Sequence, residues 1–182
     1  MKYGEFLSAP GGFRIHEADL VRPWHYLYTN DHIMLKVNQR GPVLAQAQPP
    51  CGVVLFNTSR GNQEAPWQLF IETDRGALTA FPSAANADLR TGFSCTFLPD
   101  RAEYSLRYGE VEVLTTLGIS EQETGFWMRS RILNHGAAPL RFRWLAAWRV
   151  LFAPPVMAPW DMPVSVMTSD IVTISTGFLR HT

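Results

Sequence analysis

Between residues 140 and 151 every arginine, Arg141, Arg143 and Arg149, falls on an odd position, while Leu140, Phe142, Trp144, Ala146, Trp148 and Val150 fall on even ones. A repeat of two residues puts the arginines on one side of a β-strand and the apolar groups on the other. Wound as a helix, at about 100° per residue, the same arginines would not gather opposite the apolar residues. The segment reads as a strand with Trp144 and Trp148 turned toward a core. Phe126–Asn134 alternates in the same way, with Phe126, Met128 and Ile132 on one face and Arg129 and Arg131 on the other. The intervening Asn134, His135, Gly136, Ala137, Ala138 and Pro139 are turn formers, so the two strands are expected to pair as a hairpin.

Further strands are expected over 94–97, 103–108 and 110–119, with a bulge near Leu114 to Leu117 where the alternation slips. Shorter ones are expected over 33–37, 53–56, 69–72, 164–168 and 171–175, the last two joined through Ser169-Asp170. No segment keeps a helical period over three turns. The 13 Gly and 13 Pro are spread along the chain and cut it into short pieces. The expected architecture is all-β, an antiparallel β-sandwich forming one domain over 1–182 and incomplete at its C-terminal end, with a Pro-rich irregular connection over 153–163.

Charge narrows the partners. Sixteen basic residues balance sixteen acidic ones, so no cationic surplus exists to displace counterions from nucleic acid. The longest uncharged stretch, 41–59, carries Pro42, Pro49, Pro50, Gln46 and Gln48 and is no membrane span. The only cysteines, Cys51 and Cys95, form neither a disulfide framework nor a metal motif, and no apolar signal run follows Met1. A cytoplasmic location is expected.

Catalytic motifs are missing. GxSxG, GxGxxG, GxxxxGK and HExxH do not occur. The carboxylate pairs Glu110/Glu112 and Glu121/Glu123 read as solvated strand and turn acids, and His25, Asp31 and His32 as surface residues with no metal between them. No catalytic residue, metal or cofactor is assigned. Aromatics carry more information: of six Trp, Trp24, Trp67 and Trp160 stand beside Pro23, Pro66 and Pro159, outside the clearest strands. Flat indoles of that kind stack on sugar C–H groups and offer an N–H to hydroxyls.

The N-terminal third bears on this point. Tyr3-Gly4-Glu5-Phe6, Gly12-Phe13-Arg14-Ile15, and Arg22-Pro23-Trp24-His25-Tyr26-Leu27 followed by Asn30 resemble the opening of glycoside hydrolase family 94, the cellobiose and chitobiose phosphorylases formerly called glycosyltransferase family 36. His25 stands where that family's Pro-Trp motif carries Asn. Tyr104 to Ile119 is similar to the family's following strand pair, and Met128 to Leu140 to its Asn-and-Pro hairpin, a pattern that galactose mutarotase-like sandwiches share. The resemblance covers most of residues 1 to 150.

It implies a galactose mutarotase-like β-supersandwich ahead of an (α/α)6 barrel that this chain lacks. The barrel would supply the acid for inverting phosphorolysis of β-glucosides, with inorganic phosphate as co-substrate. The chain would then be a non-catalytic, carbohydrate-associated domain, touching the rim of a sugar site and the contacts of a homodimer. Trp24, Tyr26, Asn30, Trp67 and Trp160 are its sugar-binding candidates. A free-standing carbohydrate-binding module and a mutarotase-like epimerase, with His and Glu converging on one sheet, are the alternatives.

Overall fold

The computed structural model describes residues 3–9, 11–48, 54–57, 65, 67–74, 76–121 and 125–148, Trp148 by its backbone alone. Nearly every element is an antiparallel strand. The first sheet holds β1 (Gly4–Leu7), β2 (Gly12–Ile15), β9 (Gly92–Phe97), β10 (Arg101–Tyr108), β11 (Val111–Ile119) and β12 (Phe126–Asn134), side by side in that order. A second sheet runs β3 (His25–Thr29), β4 (Ile33–Asn38), β5 (Gly41–Ala47) and β6 (Val54–Asn57). In the third, β13 (Phe142–Trp148) lies beside β7 (Trp67–Thr73), and β7 beside β8 (Gly76–Thr79). A short 3-10 helix, Ala84–Leu89, follows β8. The protein is an all-β sandwich, open rather than closed into a barrel.

Alternation makes these strands. In β4, Ile33, Leu35 and Val37 are buried while Met34, Lys36 and Asn38 are half-buried on the other side. In β10, Ala102, Tyr104, Leu106 and Tyr108 point inward, and Arg101, Glu103, Ser105 and Arg107 point out. Inward residues of all three sheets merge into one core, which joins Ile15, Phe97, Tyr104 and Val113 to Leu35, Ala45 and Phe56 and to Ile71 and Leu78. That union is what lets strands with a single apolar face be stable at all.

Buried amides tie the loops to this core. Gln39, in the turn between β4 and β5, accepts from the Trp24 backbone N–H at 3.1 Å and donates to the Ala18 carbonyl at 3.3 Å. Gln68 accepts from the Phe81 N–H at 3.0 Å and donates to the Phe81 carbonyl at 3.3 Å, standing in for a strand partner. Tyr108, Thr79 and Asn86 form a third knot, in which Asn86 donates to the Thr79 hydroxyl at 2.8 Å and the Tyr108 hydroxyl donates to the Thr79 carbonyl at 3.1 Å. Each supplies hydrogen bonds to backbone groups that burial would otherwise leave unpaired.

Four expectations change. First, β12 and β13 do not form a hairpin: β12 pairs with β11, and β13 pairs with β7 from Phe142↔Thr73 to Trp148↔Trp67. The connector 135–141 leaves one sheet for another, and seven residues suffice to cover the ~10 Å between packed sheets. Its start is held to the first sheet by the His135 N–H, which donates to the Glu110 carbonyl at 2.8 Å.

Second, β11 has no bulge. Its pairing with β10 and β12 runs unbroken, with Thr115 on the inner face and Leu114 on the outer. The slip lies in side-chain chemistry, and the Thr115 hydroxyl lies within hydrogen-bonding distance of the Ser130 hydroxyl, at 3.0 Å.

Third, Trp144 is 49% exposed. Fourth, Trp67 is not in a loop but opens β7. The side chain of Trp148, together with Trp160, the 153–163 connection and the strands expected over 164–168 and 171–175, lies outside the described residues.

Candidate functional site

Because the inner face of the six-stranded sheet is filled by the core, its outer face carries the polar half of every strand. Register lines these residues up. Glu5 pairs with Arg14, Arg14 with Thr96, Thr96 with Glu103, Glu103 with Thr116, and Thr116 with Arg129, so one row crosses all six strands. Beside it run Ser94, Ser105, Leu114 and Arg131. Apart from Glu5, which lies at its edge, the two rows line a groove of about 430 Å³ whose walls include Arg14, His16, Glu103, Arg129 and Arg131. That volume is within the range that encloses a small ligand.

The groove's polar groups are mostly held in place. Arg14 lies 3.7 Å from the Glu5 carboxylate and donates to the Thr96 hydroxyl at 3.2 Å. His16 lies 3.4 Å from the same carboxylate. Arg101, two residues from Glu103 along β10, donates to Glu103 Oε1 at 2.7 Å. Arg129 and Arg131 have no carboxylate partner among the described residues.

Trp127 stands two positions before Arg129 on the same face. It is 40% exposed and donates its indole N–H to the Ile119 carbonyl at 3.2 Å. Cross-strand from it is Gly118, where a Cβ would come within 2.8 Å of the indole ring. The glycine thus clears the space in which the ring rests on the sheet. The sequence reading passed over Trp127. The signal was present, since the parity that puts Arg129 and Arg131 outward puts Trp127 there too.

The residues expected to bind sugar are dispersed. Trp24 stacks on Phe13 at 4.7 Å between ring centroids and remains 43% exposed. Tyr26 is half-buried and stacks on Phe97 at 5.7 Å. The Asn30 amide is engaged through both its oxygen and its nitrogen, accepting from the His32 and Ile33 N–H groups at 2.8 and 2.7 Å and donating to the Ser120 carbonyl at 2.6 Å. It shapes the β3–β4 turn. Trp67 is half-buried edge-on against Phe126 at 5.1 Å. None of these four lines the groove. His25 and His32 sit at opposite ends of the β3–β4 hairpin, and no group of three or more potential metal ligands occurs among the described residues.

One constellation has the residue types of hydrolytic catalysis. Glu112 accepts from the Ser105 hydroxyl at 2.7 Å through one carboxylate oxygen and meets His135 Nε2 at 2.9 Å through the other. The carboxylate therefore separates hydroxyl from imidazole, whereas nucleophilic catalysis needs the imidazole on the hydroxyl. The Ser105 and His135 hydrogen bonds hold the Glu112 carboxyl below the usual glutamate range.

A depressed native value contributes stability that is present above the unfolded glutamate's range and is lost as pH falls through the native one. Urea midpoints measured across the acidic range should therefore fall more steeply for the natural chain than for Glu112→Gln. Parallel profiles would remove Glu112 from the acid response.

No protein-family model and no curated protein matches this chain. The fold defines it as an antiparallel β-sandwich.

Proposed function

We propose that the chain is a non-catalytic, carbohydrate-associated sandwich domain, and that the outer face of its six-stranded sheet is the surface that meets the sugar. The observation that carries this reading is the exposed indole of Trp127, outside the groove's lining but on the same sheet face and two positions along β12 from Arg129, which lines the groove with hydroxyl and carboxylate groups. An aromatic plane takes the C–H side of a pyranose while fixed donors and acceptors take its hydroxyls. The motif resemblance supports placing the domain beside a glycoside phosphorylase-like barrel, in a homodimeric parent acting on β-glucosides. Acid catalysis and phosphate would then belong to the barrel. The epimerase alternative is less well supported: His16 and Glu103 line the same groove, but Glu5 and Arg101 already engage them, and Glu112 and His135 contact each other.

Titration of the isotope-labelled full chain with cellobiose, followed by amide and indole N–H shifts, tests the reading. Shifts should cluster on β10, β11 and β12 with the Trp127 indole among them. Trp127→Ala should weaken binding about tenfold, the usual scale for losing a stacked ring. Undiminished binding by Trp127→Ala, together with loss in Trp24→Ala, would move the site to the surface beside β3.

A further inference from the structure

Resting on that carbohydrate reading, we infer that the saccharide accepted by this face carries an anionic group, a carboxylate or a phosphate, seated between Arg129 and Arg131. The charge inventory of the groove and of the residues that contact its lining leads there. Glu5 is shared by Arg14 and His16, Glu103 is taken by Arg101, and Glu112 by Ser105 and His135. The two remaining cations in the lining, Arg129 and Arg131, have no carboxylate partner among the described residues.

They occupy alternate positions on one face of β12, about 6.6 Å apart along the strand, a spacing from which two guanidinium forks can close on one anion. Like charges so placed repel, and an anion between them removes the repulsion while using donors that water otherwise satisfies. Thr116, cross-strand from Arg129, adds a hydroxyl, and Leu114, cross-strand from Arg131, an apolar floor for a sugar ring. A long polyanion fits poorly. Glu5 and Glu103 lie in the same cross-strand row, and the chain has no net positive charge.

The experiment compares digalacturonate, glucose 1-phosphate, cellobiose and inorganic phosphate by calorimetric titration of the full chain. At least one charged saccharide should bind about tenfold tighter than cellobiose, as a charge-assisted pair on a fixed site provides. That advantage should disappear in R129Q/R131Q, which should bind the charged saccharides no more tightly than it binds cellobiose. R143Q, which removes an arginine from β13 that pairs with Glu72, should leave the advantage intact. Raised ionic strength should weaken only the charged ligands in the natural chain, a check that needs no variant.

Equal affinity for cellobiose and the charged saccharides would overturn the inference and leave the carbohydrate reading standing. Inorganic phosphate binding as tightly as glucose 1-phosphate would reduce the pair to a simple anion site and overturn it as well. If no saccharide binds, both fall.

Discussion

Gly41→Ala is expected to lower the unfolding free energy by about 3 to 5 kcal/mol, combining backbone strain with overpacking. Gly41 closes the β4–β5 hairpin opposite Asn38, with φ +116°, a conformation that residues with a Cβ rarely adopt. An added Cβ would also meet Phe81 Cγ at 2.8 Å and the Ala65 Cβ at 3.0 Å. Phe81 is poorly placed to yield: it is fully buried, its backbone is held on both sides by Gln68, and its ring meets Tyr104 edge-on at 4.9 Å. Gly109→Ala supplies the comparison. Gly109 has φ +64° with nothing within 4 Å of its would-be Cβ, so its cost should be about 1 to 2 kcal/mol of backbone strain alone. Urea titrations of both variants check this. Equal losses would mean that Phe81 does not pack against the hairpin.

Tyr104→Ala should cost a similar 3 to 5 kcal/mol, about what a large ring in a core that cannot collapse usually contributes. Tyr104 is 1% exposed, and its hydroxyl reaches across the sandwich to donate to the Asn38 carbonyl at 2.8 Å. Burial pushes its phenol well above the usual tyrosine range, so it remains a neutral donor. Tyr104→Phe keeps the ring and gives up that hydrogen bond, for about 1 to 2 kcal/mol. Its neighbours Glu103 and Ser105 face the groove, so the alanine variant should also loosen the groove floor and weaken saccharide binding, while Tyr104→Phe leaves binding nearly intact. A Tyr104→Phe loss as large as that of Tyr104→Ala would shift the main contribution from packing to the hydrogen bond.

Strands were legible where inward and outward chemistry alternate without interruption. β12 spans the expected Phe126–Asn134, because Phe126, Met128 and Ile132 pack on the core while Arg129 and Arg131 face water. β5 was not legible. Pro42 sits near its start, and the register shift between Lys36 and Val37 on the facing strand is the irregularity that admits a residue without an N–H. β3 was hidden by His25, Tyr26 and Tyr28, whose amphipathic rings do not separate into an apolar and a polar side. Parity identified the side of β13 that holds Phe142 and Trp144, but both are exposed. A period of two tells which residues share a side and not whether another layer covers it.

The candidate site divides in the same way. Local sequence determined the all-β character, the boundaries of β12 and the outward direction of Arg129 and Arg131, because side-chain direction follows from steric alternation along each strand; the direction of Thr116 came only from the unbroken pairing of β11. Tertiary structure alone decided that β2 lies against β9, so that Arg14 meets Thr96 across 82 positions of chain, and that β13 leaves β12 for β7. Strand pairing depends on which apolar faces can be buried together, a property of the whole core that no single strand carries.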